Sequence, residues 1–164
     1  YLFAVDRMIN RDVIFQVLGR SPGGEWIFVR TTAGHEGWIF AQLIETDQDL
    51  QAAPVIEPQG VQLITGKVTN PAGEPISGIQ YAITQVTSAG TRRTDALTGP
   101  DGIFYAFLPE SASGTWNVAY TAVSCKSNTM DADCNCLGGV CGTSDPIWKN
   151  VDLPQTEALL FTWK

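Results

Sequence analysis

Four cysteines offer the most chemistry of any residues in this sequence. They are spaced C-x8-C-x-C-x4-C within one segment rich in glycine, asparagine and aspartate: Cys125, Cys134, Cys136 and Cys141. Two disulfides would hold a loop that has no core of its own, whereas four thiolates would also suit structural zinc. Because the segment lacks the paired C-x2-C motifs common in zinc sites, we predict two disulfides, no bound metal and an oxidising compartment.

The spacing does not fix which cysteines pair, since four cysteines allow three connectivities. We favour Cys125 with Cys134 and Cys136 with Cys141, because two consecutive glycines between the last two would let the shorter loop close. The pairing stays a prediction at this point.

Three acidic residues lie in or near the same segment, namely Asp131, Asp133 and Asp145. Carboxylate oxygens suit calcium, but a calcium site needs six or more converging oxygens. The three aspartates do not follow the D-x-D-x-D-G loop with its distal glutamate, so we interpret them as solvated loop residues.

Catalytic residues are harder to find. The single histidine, His35, lies in a short segment between two glycines, and a general base also needs a nucleophile and an orienting group. No nucleophile elbow or other catalytic spacing is present. We predict no catalytic residues, no cofactor and no enzyme activity.

The five tryptophans are candidates for ligand contact, since an exposed indole is a common platform for sugar rings or peptides. Trp148 is the first candidate, because it follows Asp145-Pro146 beside the cysteine-rich segment. Trp26 and Trp38 are further candidates, although they and Trp116 lie in alternating strands where large rings are mostly buried.

The composition limits the partners. Seventeen acidic and ten basic residues give a formal net charge of −7 over 164 residues, which argues against binding to nucleic acid or to anionic lipid. No apolar run approaches the length of a membrane span. Hydrophobic residues make up 44% of the chain, which is enough to build a core.

The hydrophobic pattern is typical of short strands with period two, and it predicts an all-β fold. In the first part, β-branched and aromatic runs at 13–20, 26–30 and 38–40 are separated by short segments rich in Gly, Pro and Ser, which favours antiparallel hairpins. A short helical turn is expected at 41–43. Residues 46–60 are acidic and contain Gln and Pro, so we predict a linker there.

The second part, residues 61–164, alternates in several strands separated by turns. Strands are predicted at 61–68, 79–86, 103–108, 116–123, near Val151 and at 159–163. Asn70-Pro71-Ala72-Gly73 and Thr98-Gly99-Pro100-Asp101-Gly102 are turn sequences. This spacing of strands predicts a β-sandwich.

Residues 1–45 resemble the later half of a bacterial SH3-like domain from secreted and cell-wall proteins. The motifs are Asn10-Arg11-Asp12 before a strand, the Gly24-Glu25-Trp26 turn, and the closing Gly34-His35-Glu36-Gly37-Trp38-Ile39, which follows the family's Gly-x-x-Gly-Trp-(Val/Ile) signature. The family's opening segment is absent, and Tyr1 would fall just after it. The resemblance therefore implies a partial barrel whose open side is covered by residues 1–8, by another chain or by a copy of this one.

Residues 61–164 resemble a carboxypeptidase-regulatory-like, prealbumin-like β-sandwich of the Greek-key type. The motifs are Gly66-Lys67-Val68, the turn and strand at 73–79, Asp101-Gly102-Ile103-Phe104 and Gly114-Thr115-Trp116-Asn117-Val118. They are largely turn residues, so they indicate the fold better than the function. Domains of this family usually act as extracellular spacers, adhesion modules or appendages of enzymes.

Three functions fit these observations. The first is a non-enzymatic, secreted or cell-surface module of a bacterial protein that binds cell-wall glycan or a protein ligand in adhesion. The second is a structural subunit of a surface fibre or sheath assembled by strand sharing. The third is an accessory fragment of a secreted hydrolase. Size in solution separates the second function from the first, and the full-length gene separates the third.

Overall fold

A computed structural model describes residues 8–10, 13–126, 129–131, 136–137 and 140–164, with the backbone alone at 124–126, 129–131, 136–137 and 140–141. The described residues form two compact units, divided between Gln59 and Gly60. Among them are strands and two short 3-10 helices but no α-helix, so the all-β prediction is confirmed. No helix in this described part is long and apolar enough to cross a membrane.

The N-terminal unit is built on a three-stranded antiparallel sheet in the order β1–β2–β3. Its strands are β1 (Phe15–Arg20), β2 (Trp26–Thr31) and β3 (Glu36–Phe40). The two 3-10 helices follow the sheet at Ala41–Leu43, where a helical turn was expected, and at Leu50–Ala52. Strands of five or six residues with tight turns reflect the short β-branched and aromatic runs of this region.

One face of this sheet carries Ile27 and Val29, which are almost fully buried. The residues after the second 3-10 helix belong to the same compact unit, although the composition of 46–60 was typical of a linker. The amide of Arg20 donates to the carbonyl of Pro54 at 2.9 Å, and the amide of Ile56 donates to the carbonyl of Arg20 at 2.7 Å. The backbone of residues 54–56 therefore pairs with the end of β1.

The C-terminal unit contains the remaining strands. They are β4 (Val61–Thr69), β5 (Ile79–Thr87), β6 (Gly90–Leu97), β7 (Ile103–Pro109), β8 (Gly114–Lys126), β9 (Thr129–Asp131), β10 (Cys136–Leu137), β11 (Val140–Cys141), β12 (Ser144–Asp145), β13 (Trp148–Leu153) and β14 (Leu159–Trp163). Two sheets result, one in the order β12–β14–β4–β7 and one in the order β13–β8–β5–β6, with β9 also paired to β8. Strands β10 and β11 form a separate two-stranded ribbon.

The core of this unit lies between the two sheets, as a β-sandwich requires. The ring of Tyr81 in β5 lies against two rings from the opposite sheet, with centroids 4.9 Å from Phe104 and 4.6 Å from Phe161. Close packing also explains Gly66 in β4, because a Cβ at that position would lie 2.4 Å from the ring of Phe104.

Strand β6 was not among the predicted strands, and it contains Arg92 and Arg93. Both arginines lie inside β6, where Arg92 is opposite Gln85 and Arg93 is opposite Thr84. The strand escaped prediction because most of its residues are polar on both faces, so the alternation that marks a half-buried strand is missing.

Candidate functional site

The outer face of the five-stranded sheet carries an exposed tryptophan among polar side chains. Strand β13 alternates, with its first, third and fifth residues exposed and the others half-buried against the core. We call this surface the Trp148 face, and it comprises Trp148, Asn150, Asp152, Thr115, Asn117, Ala119, Ala82, Thr84, Arg93 and Asp95.

Strand register sets one row of this face across four strands. Trp148 lies opposite Ala119, which lies opposite Ala82 on the next strand. Ala82 lies opposite Asp95 at the far edge. The two residues between Trp148 and Asp95 are alanines, so only short side chains lie between the indole and the far edge of the sheet. The row spans three strand spacings, about 14 Å.

The neighbouring row is made of hydrogen-bonding groups. Asn150 lies opposite Asn117, Asn117 opposite Thr84, and Thr84 opposite Arg93. The Asn117 Nδ2 donates to Asn150 Oδ1 at 3.0 Å. Each amide has donor and acceptor capacity beyond this one bond, so the pair can also donate and accept toward a ligand.

The charges on the face are largely paired. Arg93 Nη2 donates to Asp95 Oδ1 at 2.7 Å, and this hydrogen bond raises the pKa of the Arg93 guanidinium. The hydroxyl of Thr115 donates to the carboxylate of Asp152. One cation and two carboxylates therefore give the face a small net charge inside a chain of −7.

Trp148 itself is 57% exposed, and the adjacent Ile147 is also exposed. Two large apolar side chains are thus exposed side by side, and exposed aromatic rings of this kind are common at contact sites. The arrangement of an indole beside amide, hydroxyl and guanidinium groups can hold a flat ligand by stacking and hydrogen bonds.

Trp26 and Trp38 lie in the N-terminal unit, on the face of the sheet opposite Ile27 and Val29. Trp26 is opposite Phe40, with ring centroids 5.5 Å apart, and Trp38 is opposite Phe28, with centroids 5.0 Å apart. All four rings are half-buried. These cross-strand aromatic pairs therefore stabilise the sheet, and each ring keeps an exposed part that stays a candidate for ligand contact.

Trp116 is fully buried in the sandwich, as its alternating strand predicts. Its Nε1 has no hydrogen-bond partner among the described residues, and the same holds for the nearly buried Trp163. Both indoles belong to the core cluster between the sheets. They are core residues and not surface contacts.

The side chains of Cys125, Cys134, Cys136 and Cys141 lie outside the described residues, and so do the predicted disulfides. The backbone of Cys136–Leu137 pairs with that of Val140–Cys141, which places Cys136 opposite Cys141. Of the three aspartates near this segment, the side chains of Asp131 and Asp133 are also outside the described part.

Asp145, the third aspartate, forms an ion pair with Lys164. Within the described part of the chain, no group of three or more His, Cys, Asp or Glu side chains is placed to hold a metal ion.

His35 is exposed in the hairpin between β2 and β3. Its amide donates to Thr31 Oγ1 at 3.1 Å, and its carbonyl accepts from the Thr31 amide at 2.8 Å, so the backbone of this residue closes the turn. Arg30 and Glu36, which lie opposite each other on the two strands beside this turn, form an ion pair with side chains 2.6 Å apart on the sheet surface. Among the residues that the structure describes, the hydrogen bonds of His35 are those of its backbone in the turn.

Sequence reasoning found Trp148 but missed the groups that share its face. Asn117 and Asn150 are 33 residues apart, and Arg93 lies in the strand that was not predicted. The available signal was the alternation of polar residues at 115, 117 and at 150, 152, which indicates which face is exposed but not which strands are neighbours.

Comparisons with known proteins add little to this geometry. No protein-family model matches the chain, and no curated protein matches it. Among solved structures, the chain is similar to a streptococcal ancillary pilin, at 12% sequence identity and a TM-score of 0.38. The alignment covers 87% of this chain and 44% of the pilin, so this chain spans less than half of that structure's length.

Proposed function

We propose that this chain is a non-enzymatic module of a secreted or cell-surface bacterial protein, and that it binds a ligand of the cell wall, glycan or peptide, through the Trp148 face. The observation that carries the proposal is the exposed indole of Trp148 on a polar sheet face. An exposed indole on an ordered strand offers a large, rigid stacking surface, and tryptophan is enriched at binding sites, so its position favours a binding role.

An extracellular location is supported by the four clustered cysteines. Small disulfide-held loops persist in oxidising compartments and are rare in the cytosol. The resemblance of residues 1–45 to bacterial SH3-like domains, and of residues 61–164 to prealbumin-like domains, points to the same compartment. The acidic balance of the chain is compatible with a soluble, displayed module.

A non-enzymatic role is supported by the surroundings of His35. The histidine is exposed and its hydrogen bonds are those of a turn, whereas a general base must reach the proton it removes and be held by a third group. The Trp148 face offers stacking, amide and paired charged groups, which are the means of binding.

The test is binding of the purified chain to an insoluble bacterial cell-wall preparation, measured by co-sedimentation. Trp148→Ala should weaken binding about tenfold, because the stacking surface is lost. Leu160→Ala is the matched control, since Leu160 is 64% exposed on β14 in the other sheet and should change nothing. Equal binding by the wild type and Trp148→Ala, or no binding by the wild type, would overturn the proposal.

A second candidate is a structural subunit of a surface fibre that is completed by a strand from another chain. The observation that favours it is the mostly unpaired outer edge of β1. Among the described residues, this edge pairs with another segment only at Arg20, which forms a β-bridge with Val55. Ile14, just before this strand, is 79% exposed. An apolar side chain beside an open edge invites strand addition.

A further inference from the structure

We infer that the Trp148 face binds an uncharged oligosaccharide, laid across the strands from β13 toward β6 with one sugar ring stacked on Trp148. This inference rests on the proposed binding function and narrows it to one class of ligand. It depends on three properties of the face: its stacking surface, its hydrogen-bonding row and its charge.

The stacking surface suits a sugar ring. A pyranose ring presents aliphatic C–H groups on one face, and these pack on the electron-rich face of an indole. Trp148 is 57% exposed, so much of the indole is accessible. Ala119 continues the row beyond it, and its small side chain lets a following ring approach the sheet closely, whereas Ala82 is only 6% exposed and adds little contact surface.

The hydrogen-bonding row runs beside the stacking row. Asn150, Asn117 and Thr84 occupy successive strands about 4.8 Å apart, next to Trp148, Ala119 and Ala82 respectively. Amide and hydroxyl groups both donate and accept, as sugar hydroxyls do. A saccharide lying along the row of Trp148, Ala119 and Ala82 would therefore meet a polar group beside each ring.

The direction of the row argues against a peptide. An extended peptide gains its main-chain hydrogen bonds by lying parallel to an edge strand. The row from Trp148 to Asp95 crosses the strands, so a chain that follows it cannot pair with any of them. A saccharide needs no such pairing, because its contacts come from ring faces and hydroxyl groups.

Charge complementarity favours a neutral saccharide. The guanidinium of Arg93 is already engaged by Asp95, with the Nη2 to Oδ1 distance at 2.7 Å, so it is a poor binding site for a sugar acid. The net charge of −7 repels an anionic polymer as a whole. An uncharged ligand experiences neither penalty, and it can hydrogen-bond to both members of the ion pair.

The experiment is titration of the purified chain with neutral oligosaccharides, namely chito-, cello- and malto-oligosaccharides, followed by the indole N–H resonances. We expect one series to bind, with the Trp148 signal shifting and with little dependence on salt concentration. Trp148→Ala should weaken binding about tenfold, Trp148→Phe should retain part of it, and Asn117→Ala should weaken it about threefold. Leu160→Ala is the control and should bind as the wild type does.

The outcomes separate this inference from the function on which it rests. If no neutral oligosaccharide binds while cell-wall binding still depends on Trp148, the saccharide assignment is wrong and the binding face stands. If wild-type cell-wall binding is absent or does not depend on Trp148, the binding face itself is wrong. Binding only to anionic polysaccharide, or to peptides of the cell wall, would also overturn the inference. Circular dichroism of each variant confirms that the fold is intact.

Discussion

The phenol oxygen of Tyr81 lies 2.7 Å from the hydroxyl oxygen of Ser144, and both residues are fully buried. The Ser144 hydroxyl also lies 3.0 Å from the carbonyl oxygen of Pro146, which can only accept a hydrogen bond. Ser144 therefore donates its single proton to Pro146 and accepts from Tyr81. This chain of bonds joins β5 of one sheet to β12 of the other through the core.

The direction of this hydrogen bond predicts unequal effects of its two deletions. Tyr81→Phe removes the donor and leaves Ser144 still bonded to Pro146, so we expect a loss of about 1 kcal/mol in the free energy of unfolding. Ser144→Ala leaves a buried phenol without an acceptor, and the loss should be about 2 kcal/mol. Urea unfolding of both variants, followed by circular dichroism, measures the two values.

The double variant provides the control for this prediction. Once the phenol is removed, Ser144→Ala should cost less than it does in the wild type, and the difference is the coupling between the two hydroxyls. Additive effects, or a larger loss for Tyr81→Phe than for Ser144→Ala, would contradict the assigned direction of donation.

The buried phenol of Tyr81 should also make the free energy of unfolding depend on pH in the alkaline range. Burial raises the pKa of the Tyr81 phenol well above its ordinary value of 10.0, and burial raises that of Tyr120 in the same direction. The folded state then keeps its phenolic protons where the unfolded chain releases them, so stability is complete below pH 10 and falls as the pH rises above it. The fall due to one such group approaches roughly 1.4 kcal/mol per pH unit.

Unfolding free energies of the wild type and Tyr81→Phe between pH 8 and pH 11 check this expectation. The advantage of the wild type should be constant up to about pH 10 and then shrink, since the phenyl ring of the variant has no proton to lose. Parallel curves for the two proteins across the whole range would show that the buried phenol does not govern the alkaline limit.

Local patterns predicted most strands of this fold but not which strands pair with each other. Strand β14 was expected at 159–163 and lies at Leu159–Trp163, because a short apolar run preceded by a polar segment that begins with Pro154 suffices. The exposure of Trp148 also followed from its local setting. Both inferences used only residues that are near each other in the sequence.

The sequence did not predict the register between strands that are distant along the chain. The Tyr81–Ser144 bond joins residues 63 positions apart, and the rows of the Trp148 face depend on how β13 aligns with β8 and how β8 aligns with β5. A slip of one residue between β8 and β5 would move Asn117 to the other face of the sheet, and a slip between β13 and β8 would do the same to Trp148. Hydrophobic patterns limit such slips, but no sequence motif states which strands are neighbours.

The predicted disulfides can be checked by mass spectrometry. We expect two disulfides and no zinc, with Cys136 bonded to Cys141 and Cys125 bonded to Cys134. The backbone register supports the first pair, because residues opposite each other in antiparallel strands have Cα atoms about 4.5 to 5.5 Å apart, within the range that a disulfide needs. Alkylation before and after reduction should add four groups only after reduction.

Peptide mapping of the unreduced protein then assigns the pairs. Loss of both bonds by reduction should lower the free energy of unfolding by about 2–4 kcal/mol, with the larger part from the longer loop. If elemental analysis shows one zinc per chain and four thiols alkylate without reductant, the disulfide prediction is wrong and the four cysteines form a metal site.

We predict that the chain self-associates through the open outer edge of β1 in the N-terminal unit. The outer side of β1 is bridged by Val55 at Arg20, and on that side the part from Phe15 to Val17 has no strand partner among the described residues. Unpaired backbone groups and the exposed Ile14 favour a strand from a second chain at this edge. Light scattering on the purified chain should therefore show a dimer or a larger assembly.

A charge beside the edge should reverse this association. Ile14→Lys places an ammonium group next to β1, as natural edge strands do to avoid pairing, and we expect it to shift the population to monomer. Val86→Lys is the matched control, because Val86 is 83% exposed in the other unit and should not alter the assembly. A stable wild-type monomer whose amides in residues 1–45 exchange slowly would mean that the sheet closes within one chain, since only a covered edge protects its backbone from exchange.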